Sequence, residues 1–232
     1  MYLVIDTSTR HGAVGLWVNG ALVRSQSWYS TNNHTMELMP NVDAVITGSG
    51  TTLSKLSGIA VAYGPGGFSA LRVGLGVAKG LVFSSGLPVV GVSTLEATAY
   101  PHRGFRMRIC ALIASARGIV AWARFQQVDG WRRLTPDRIT PVEQMLESRG
   151  RHTLFCGEGV AQYEHGIREA LGGKAHLVAE PAPLTRLAGL AELGAAMLDA
   201  GDTTPLKELS PRYLRSPTIT RPGVPKVVSR GS

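Results

Sequence analysis

YLVIDTSTRHGAVGLWVNGALVRSQSWY, residues 2–29, holds three strands in succession. Residues 2–6 form an apolar run that ends in the polar turn TSTRHG. Residues 13–18 and 21–28 alternate apolar and polar side chains around Asn19-Gly20, the pair best suited to a two-residue hairpin turn. Strands joined so tightly pair antiparallel, so the chain opens on a three-stranded meander.

Beyond the meander, helices and strands alternate. The spacing predicts a helix over 34–47, with Leu38, Met39, Val42, Val45 and Ile46 on one stripe. Pro40 should kink it or mark its effective start. GIAVAY, 58–63, reads as a buried strand, and Gly64-Pro65-Gly66-Gly67 as an obligatory turn. A helix over 68–83 and a strand over 88–92 follow. Ser93-Thr94-Leu95-Glu96 then forms a capping box for the next helix. The theme returns after residue 105. Strands are expected at 107–115 and 118–127, with a third around Trp131. Thr140-Pro141-Val142-Glu143 reads as another capping box, with proline at the first helical position. A strand over 153–156 leads to a helix over 159–171, whose Val160, Tyr163, Ile167 and Leu171 share a face. That helix stops at Gly172-Gly173, and a last amphipathic helix spans 184–200.

Three antiparallel strands followed by helix–strand–helix–strand is the order of a ribonuclease-H-like sheet. Its repetition predicts an α/β protein of two such lobes, the duplicated actin-like (ASKHA) architecture with mixed sheets. The lobes are expected at 1–104 and 105–215, with a mobile Pro- and Arg-rich tail over 216–232.

The chain has 232 residues, 44% hydrophobic and 17% charged, enough to bury a core in each lobe. No apolar run is long enough for a membrane span, and MYLVIDTST lacks the basic start of a signal peptide. Cys110 and Cys156 sit in apolar runs and read as reduced core residues, which points to the cytoplasm. The net charge of +8 is uneven. Residues 1–100 carry five basic and four acidic side chains, and residues 101–232 carry 19 and 12. The final segment adds Arg212, Arg215, Arg221, Lys226 and Arg230 without an acid. A basic second half permits contact with tRNA phosphates, although such a face is often only solvated.

Asp6, Thr7 and Ser8 leave the first strand where actin-like phosphotransferases hold nucleotide and magnesium. A tight turn satisfied by its own side chains is the commoner explanation, and the set reads as a vestigial phosphate loop. The equivalent second turn, Ala114-Ser115-Ala116-Arg117-Gly118, has no carboxylate, and Gly157-Glu158-Gly159 is a weak phosphate motif. A small-molecule kinase, the alternative reading, therefore lacks its second metal-binding arm. The histidines (His11, His34, His102, His152, His165 and His176) form no H-x-x-x-H pair, so neither a metal site nor a catalytic residue is assigned. In the helix over 68–83, Gly74, Gly76 and Gly80 each forfeit about 0.8–1 kcal/mol against alanine. Close packing must offset that loss. Ala70, Gly74 and Ala78 make one flat stripe and Gly76 with Gly80 a second, but spacing does not separate internal from external packing.

GPGGFSALRVGLGVAKGL, 64–81, resembles the GPGSFTGLRIG-x-x-x-AKGL signature of the TsaB family. IDTST at 5–9, His34 with Pro40, PVVGVSTLEA at 88–97 and Pro211-Arg212-Tyr213-Leu214-Arg215 accompany it in the family's order. The resemblance implies a non-catalytic subunit that binds and activates TsaD, the enzyme transferring threonylcarbamoyl to an adenosine beside the tRNA anticodon. It implies docking through the helices over 34–47 and 68–83, carried by His34, Leu38, Met39, Ala70, Leu71, Gly74, Val77, Ala78 and Leu81. It also implies a TsaE-like ATPase joining with ATP, no cofactor of the chain's own, and a homodimer through the same surface when alone. The sister enzyme's N-H-L-E-G-H metal motif is matched by Ser93-Thr94-Leu95-Glu96-Ala97-Thr98, with threonine at both ligand positions. The family's D-A-R-x-G-E-V-Y is replaced by Ala114-Ser115-Ala116-Arg117-Gly118-Ile119-Val120-Ala121, and its F-T-G by Phe68-Ser69-Ala70.

Overall fold

The computed structural model describes residues 1–31, 33–147, 151–178 and 183–214. The expected tail over 216–232 lies outside the described residues.

The meander forms as read: β1 (Tyr2–Asp6), β2 (His11–Val18) and β3 (Ala21–Tyr29) pair antiparallel. Asn19 and Gly20 turn between the last two with φ of 49° and 85°, the left-handed pair of a type I′ hairpin. Helix α1 (His34–Thr47) leads to β4 (Gly58–Gly64), and α2 (Phe68–Ser85) to β5 (Val89–Ser93). The first sheet has the order β3-β2-β1-β4-β5, with β1, β4 and β5 parallel. Helix α1 starts well before Pro40, which sits exposed inside it.

Short helix α3 (Thr94–Ala99) crosses to the second lobe. There β6 (Arg108–Ala116), β7 (Ile119–Gln127) and β8 (Trp131–Arg133) repeat the meander, and β9 (Arg138–Pro141) returns to pair with β7. Helix α4 (Val142–Leu146), β10 (Thr153–Cys156), α5 (Gly159–Leu171) and β11 (Ala175–Leu177) follow. The second sheet runs β11-β10-β6-β7-β8, with β6, β10 and β11 parallel. Helix α6 (Pro183–Asp199) returns to the first lobe.

Alternation along β1 assigns its two faces. Leu3 and Ile5 pack with Leu38, Val42, Leu75 and Ala78 under α1 and α2. Val4 faces the opposite way, to Leu187, Leu190 and Ala191 of α6. In the second lobe Leu95 of α3 packs with Ile109, Ala123 and Phe125. Helices α4 and α5 cover the other face through Met145, Val160 and Ile167. Helices α3 and α6 thus lie together between the two sheets.

Two capping boxes differ from expectation. Ser93 Oγ does accept from Glu96 N at 3.4 Å. The Glu96 carboxylate, however, turns to Trp131 Nε1 at 3.0 Å and Arg133 Nη2 at 2.7 Å. Thr140 belongs to β9 and accepts from Trp122 Nε1 at 2.9 Å, which leaves α4 without a side-chain cap. In both places a tryptophan on a neighbouring strand competed for the capping group.

Helix α6 approaches the first sheet very closely: a Cβ at Gly194 would lie 2.4 Å from Ala60 Cβ. Gly194→Val should therefore lower stability by about 1–3 kcal/mol through overpacking, read as a fall in urea midpoint at unchanged m-value. Burial pushes the Cys110 thiol up to about 12 and Cys156 also well above its usual value. Neither thiol should react with a maleimide in the native protein, and both should react once it is unfolded.

Candidate functional site

A cleft of about 1000 Å³ opens between the lobes at the carboxyl ends of the parallel strands, where ligands sit in open α/β sheets. Ser8 to His11, the start of α2, Ile113 to Ser115 and Glu158 line it.

The turn after β1 is closed on itself. Asp6 Oδ1 accepts from Ser8 N at 2.9 Å and from Ser8 Oγ at 2.6 Å. Thr7 Oγ1 donates to Ala70 O at 2.7 Å. Asp6, Thr7 and Ser8 are all buried. The remaining Asp6 oxygen accepts from Arg186 Nε at 2.5 Å. Arg186, from the first turn of α6, also donates through Nη1 to Glu158 Oε1 at 2.6 Å. Its Nη2 donates to Thr9 Oγ1 at 3.1 Å and His11 O at 3.0 Å. Burial alone works against the charge of this guanidinium, but Asp6 and Glu158 outweigh it and raise its pKa.

Asp6, Thr7 and Ser8, expected as a vestigial phosphate loop, are thus engaged within the fold. A divalent cation beside Asp6 would meet a guanidinium, and both hydroxyls are spent within the fold. The residues do not fit a magnesium–nucleotide. Sequence reading missed Arg186, because its partners lie far away in the chain. A lone arginine among apolar residues at the start of a helix was the available signal.

The docking residues separate into two groups. Leu38, Leu71, Gly74 and Ala78 are buried within the chain. A Cβ at Gly74 would stand 2.4 Å from Thr7 Oγ1, so this glycine serves the turn after β1. His34 is also buried, with Nε2 2.9 Å from Thr9 O. Ala70, Val77 and Leu81 are half-buried and Met39 is exposed. The outward face instead carries Met36, 71% exposed, and Phe83, 87% exposed. Gly76 and Gly80 of α2 have nothing within 4 Å of a built Cβ. Their spacing would have found this face: 36, 39, 40 and 43 on α1, and 76, 80 and 83 on α2, recur at helical period opposite the core stripe.

The Pro211-Arg212-Tyr213 motif straps the start of α2. Arg212 N donates to Tyr63 O at 2.8 Å, and Tyr213 stacks on Phe68 at 4.6 Å. Arg72 Nε donates to Tyr213 Oη at 3.0 Å. Arg215, the motif's last residue, lies outside the described residues. Thr94 and Thr98, the two former ligand positions, are buried on α3, and Thr98 Oγ1 donates to Thr94 O at 2.7 Å.

Arg186→Met should destabilise the fold by about 3–5 kcal/mol, because Asp6 and Glu158 are left buried without their cation. Equilibrium denaturation measures the loss, and Arg186→Lys should recover only part of it, since an ammonium lacks the planar fork.

Known proteins resemble this chain in sequence and in fold. The family model for TsaD, tRNA N6-adenosine threonylcarbamoyltransferase, matches residues 29–199. The tRNA threonylcarbamoyladenosine biosynthesis protein TsaB of Bacillus subtilis is 30% identical over 217 residues, 92% of this chain and 93% of its own. Its namesake from Escherichia coli is 36% identical over 127 residues, 54% of each chain. The solved structure of YeaZ from Pseudomonas aeruginosa superposes with a TM-score of 0.73 at 27% identity, covering 92% of this chain and 99% of that one. A ROK hexokinase from Thermus thermophilus reaches 0.52 at 12% identity, a likeness of actin-like fold alone. With similarity to TsaB proteins along nearly its whole length, and the architecture of YeaZ, the chain belongs to the TsaB family.

Proposed function

We propose that this chain is a docking subunit of the machinery that makes threonylcarbamoyladenosine in tRNA. It binds and activates a TsaD-type transferase and performs no catalysis itself. The observation that carries the reading is the unpaired apolar face of α1 and α2. Met36 and Met39 of α1 and Phe83 of α2 stand exposed, and Gly76 and Gly80 leave the α2 backbone bare. Bare backbone permits a partner helix to approach closely, and the surrounding side chains supply desolvated anchors. The committed partner is the transferase, because the TsaB relatives are named for the same modification and the TsaD model matches this chain. In its absence the same face serves a homodimer. A TsaE-like ATPase, with ATP, joins at the level of the complex. The kinase alternative is disfavoured because Asp6 is committed to Arg186.

Two exposed substitutions test the docking. Phe83→Asp should weaken pairing with the purified transferase by about thirtyfold, the loss of one aromatic anchor of about 2 kcal/mol, and Gly80→Trp should weaken it to a similar extent, about thirtyfold, by blocking close approach to the α2 backbone. Thermal unfolding at concentrations where the free chain is monomeric should show no loss, since neither position is packed within the chain. Full pairing by both variants would place the interface elsewhere. Magnesium-dependent ATP turnover by the chain alone would overturn the non-catalytic role.

A further inference from the structure

The end of the second sheet remote from the cleft carries a charge pattern that docking does not use. Strands β6, β10 and β11 are adjacent and parallel, with Arg108, Thr153 and Ala175 in register. All three therefore begin at one edge, a row about 10 Å wide at ordinary strand spacing. Each begins on basic residues: Arg106-Met107-Arg108, Arg151-His152-Thr153 and Lys174-Ala175-His176. None of the three triplets contains an acid. Arg106, Arg151, His152, Lys174 and His176 are exposed. His152 Nδ1 lies 3.2 Å from His176 Nε2, which ties two of the strand starts together.

Arg108 is half-buried, and its Nε has no hydrogen-bond partner. Burial first, then the nearby charges of Arg124 and Arg151, lowers its pKa. Among the described residues, neither Arg108, Arg151 nor Lys174 makes an ion pair. Like charges are gathered here with no ion-pair partner among the described residues, which suits an external anion.

We propose that this edge is a phosphate-binding surface for an RNA backbone, contacting the tRNA on the side of the second lobe away from the cleft. The choice of tRNA among polyanions rests on the function proposed above. Contacts of this kind fix position without reading sequence.

Fluorescence anisotropy of labelled tRNA with the purified chain, across a salt series, tests the surface. Arg151→Gln with Lys174→Gln, both exposed, should lower affinity about tenfold per lost contact near 0.1 M salt and reduce the salt slope by about 2. Lys55→Gln with Lys207→Gln removes the same charge from exposed positions beside the first-sheet core, into which Leu53, Leu56, Leu206 and Leu209 pack, and should leave the slope nearly unchanged. Equal effects of the two pairs, or an unchanged slope in both, would overturn the proposal. So would binding to phosphatidylserine vesicles that tRNA does not displace. Co-elution with the transferase is measured on the same samples. Normal pairing with unaltered tRNA binding in the Arg151/Lys174 variant sinks the RNA surface and leaves docking intact. Absence of pairing in the unmodified chain sinks docking, whatever the tRNA result.

Discussion

Arg186 joins three segments that are distant in sequence: the turn after β1, the start of β2, and the loop between β10 and α5. It is 5% exposed, and Asp6 beside it is fully buried. Charges taken so far out of water are tolerated only when geometry and hydrogen bonding are nearly complete. Here the guanidinium reaches both carboxylates, a hydroxyl and a carbonyl through three different nitrogens. Glu158 belongs to the second lobe and Asp6 to the first, so this cluster fixes the mouth of the cleft as well as its chemistry. Thr9 adds a second crossing, with Oγ1 donating to Glu158 Oε1 at 2.6 Å. Asp6 and Glu158, the carboxylates beside the cleft, are thus both held by one guanidinium.

The first lobe was legible because its signals are local. Asn19-Gly20 can turn in few ways, and the stripe through Leu38, Val42 and Val45 has one helical solution. The second lobe was less legible where pairing is long-range. β9 and β11 are short, and each exists because a neighbouring strand offers an edge. The Thr140 capping box illustrates the limit: its hydroxyl could cap α4 or meet Trp122, and only the register of β9 against β7 decides.

Candidate residues divided along the same line. An apolar stripe marks a packed face, but it does not say whether the packing is internal. Leu38, Leu71 and Ala78 were sought at a partner surface and belong to the core. The glycines of α2 show why. Gly74 and Gly80 cost the helix equally, yet Gly74 admits the Thr7 hydroxyl from within while Gly80 meets nothing in its own chain. Sequence registers the cost, and only the fold distinguishes a debt settled inside from one left open to a partner.

A subunit that works by docking gains from stiffness, because each group ordered on binding subtracts from the affinity. Helix α2 is held at its start by Tyr213 and Arg72, along its inner side by Thr7 and Leu71, and at its end by Gly86, whose N–H reaches Val82 O at 2.8 Å. Thr7 is placed by the same turn that Asp6 and Arg186 secure. The buried cation and the exposed Phe83 are therefore parts of one device. The ion cluster holds the turn, the turn holds the helix, and the helix presents its bare outer face already formed.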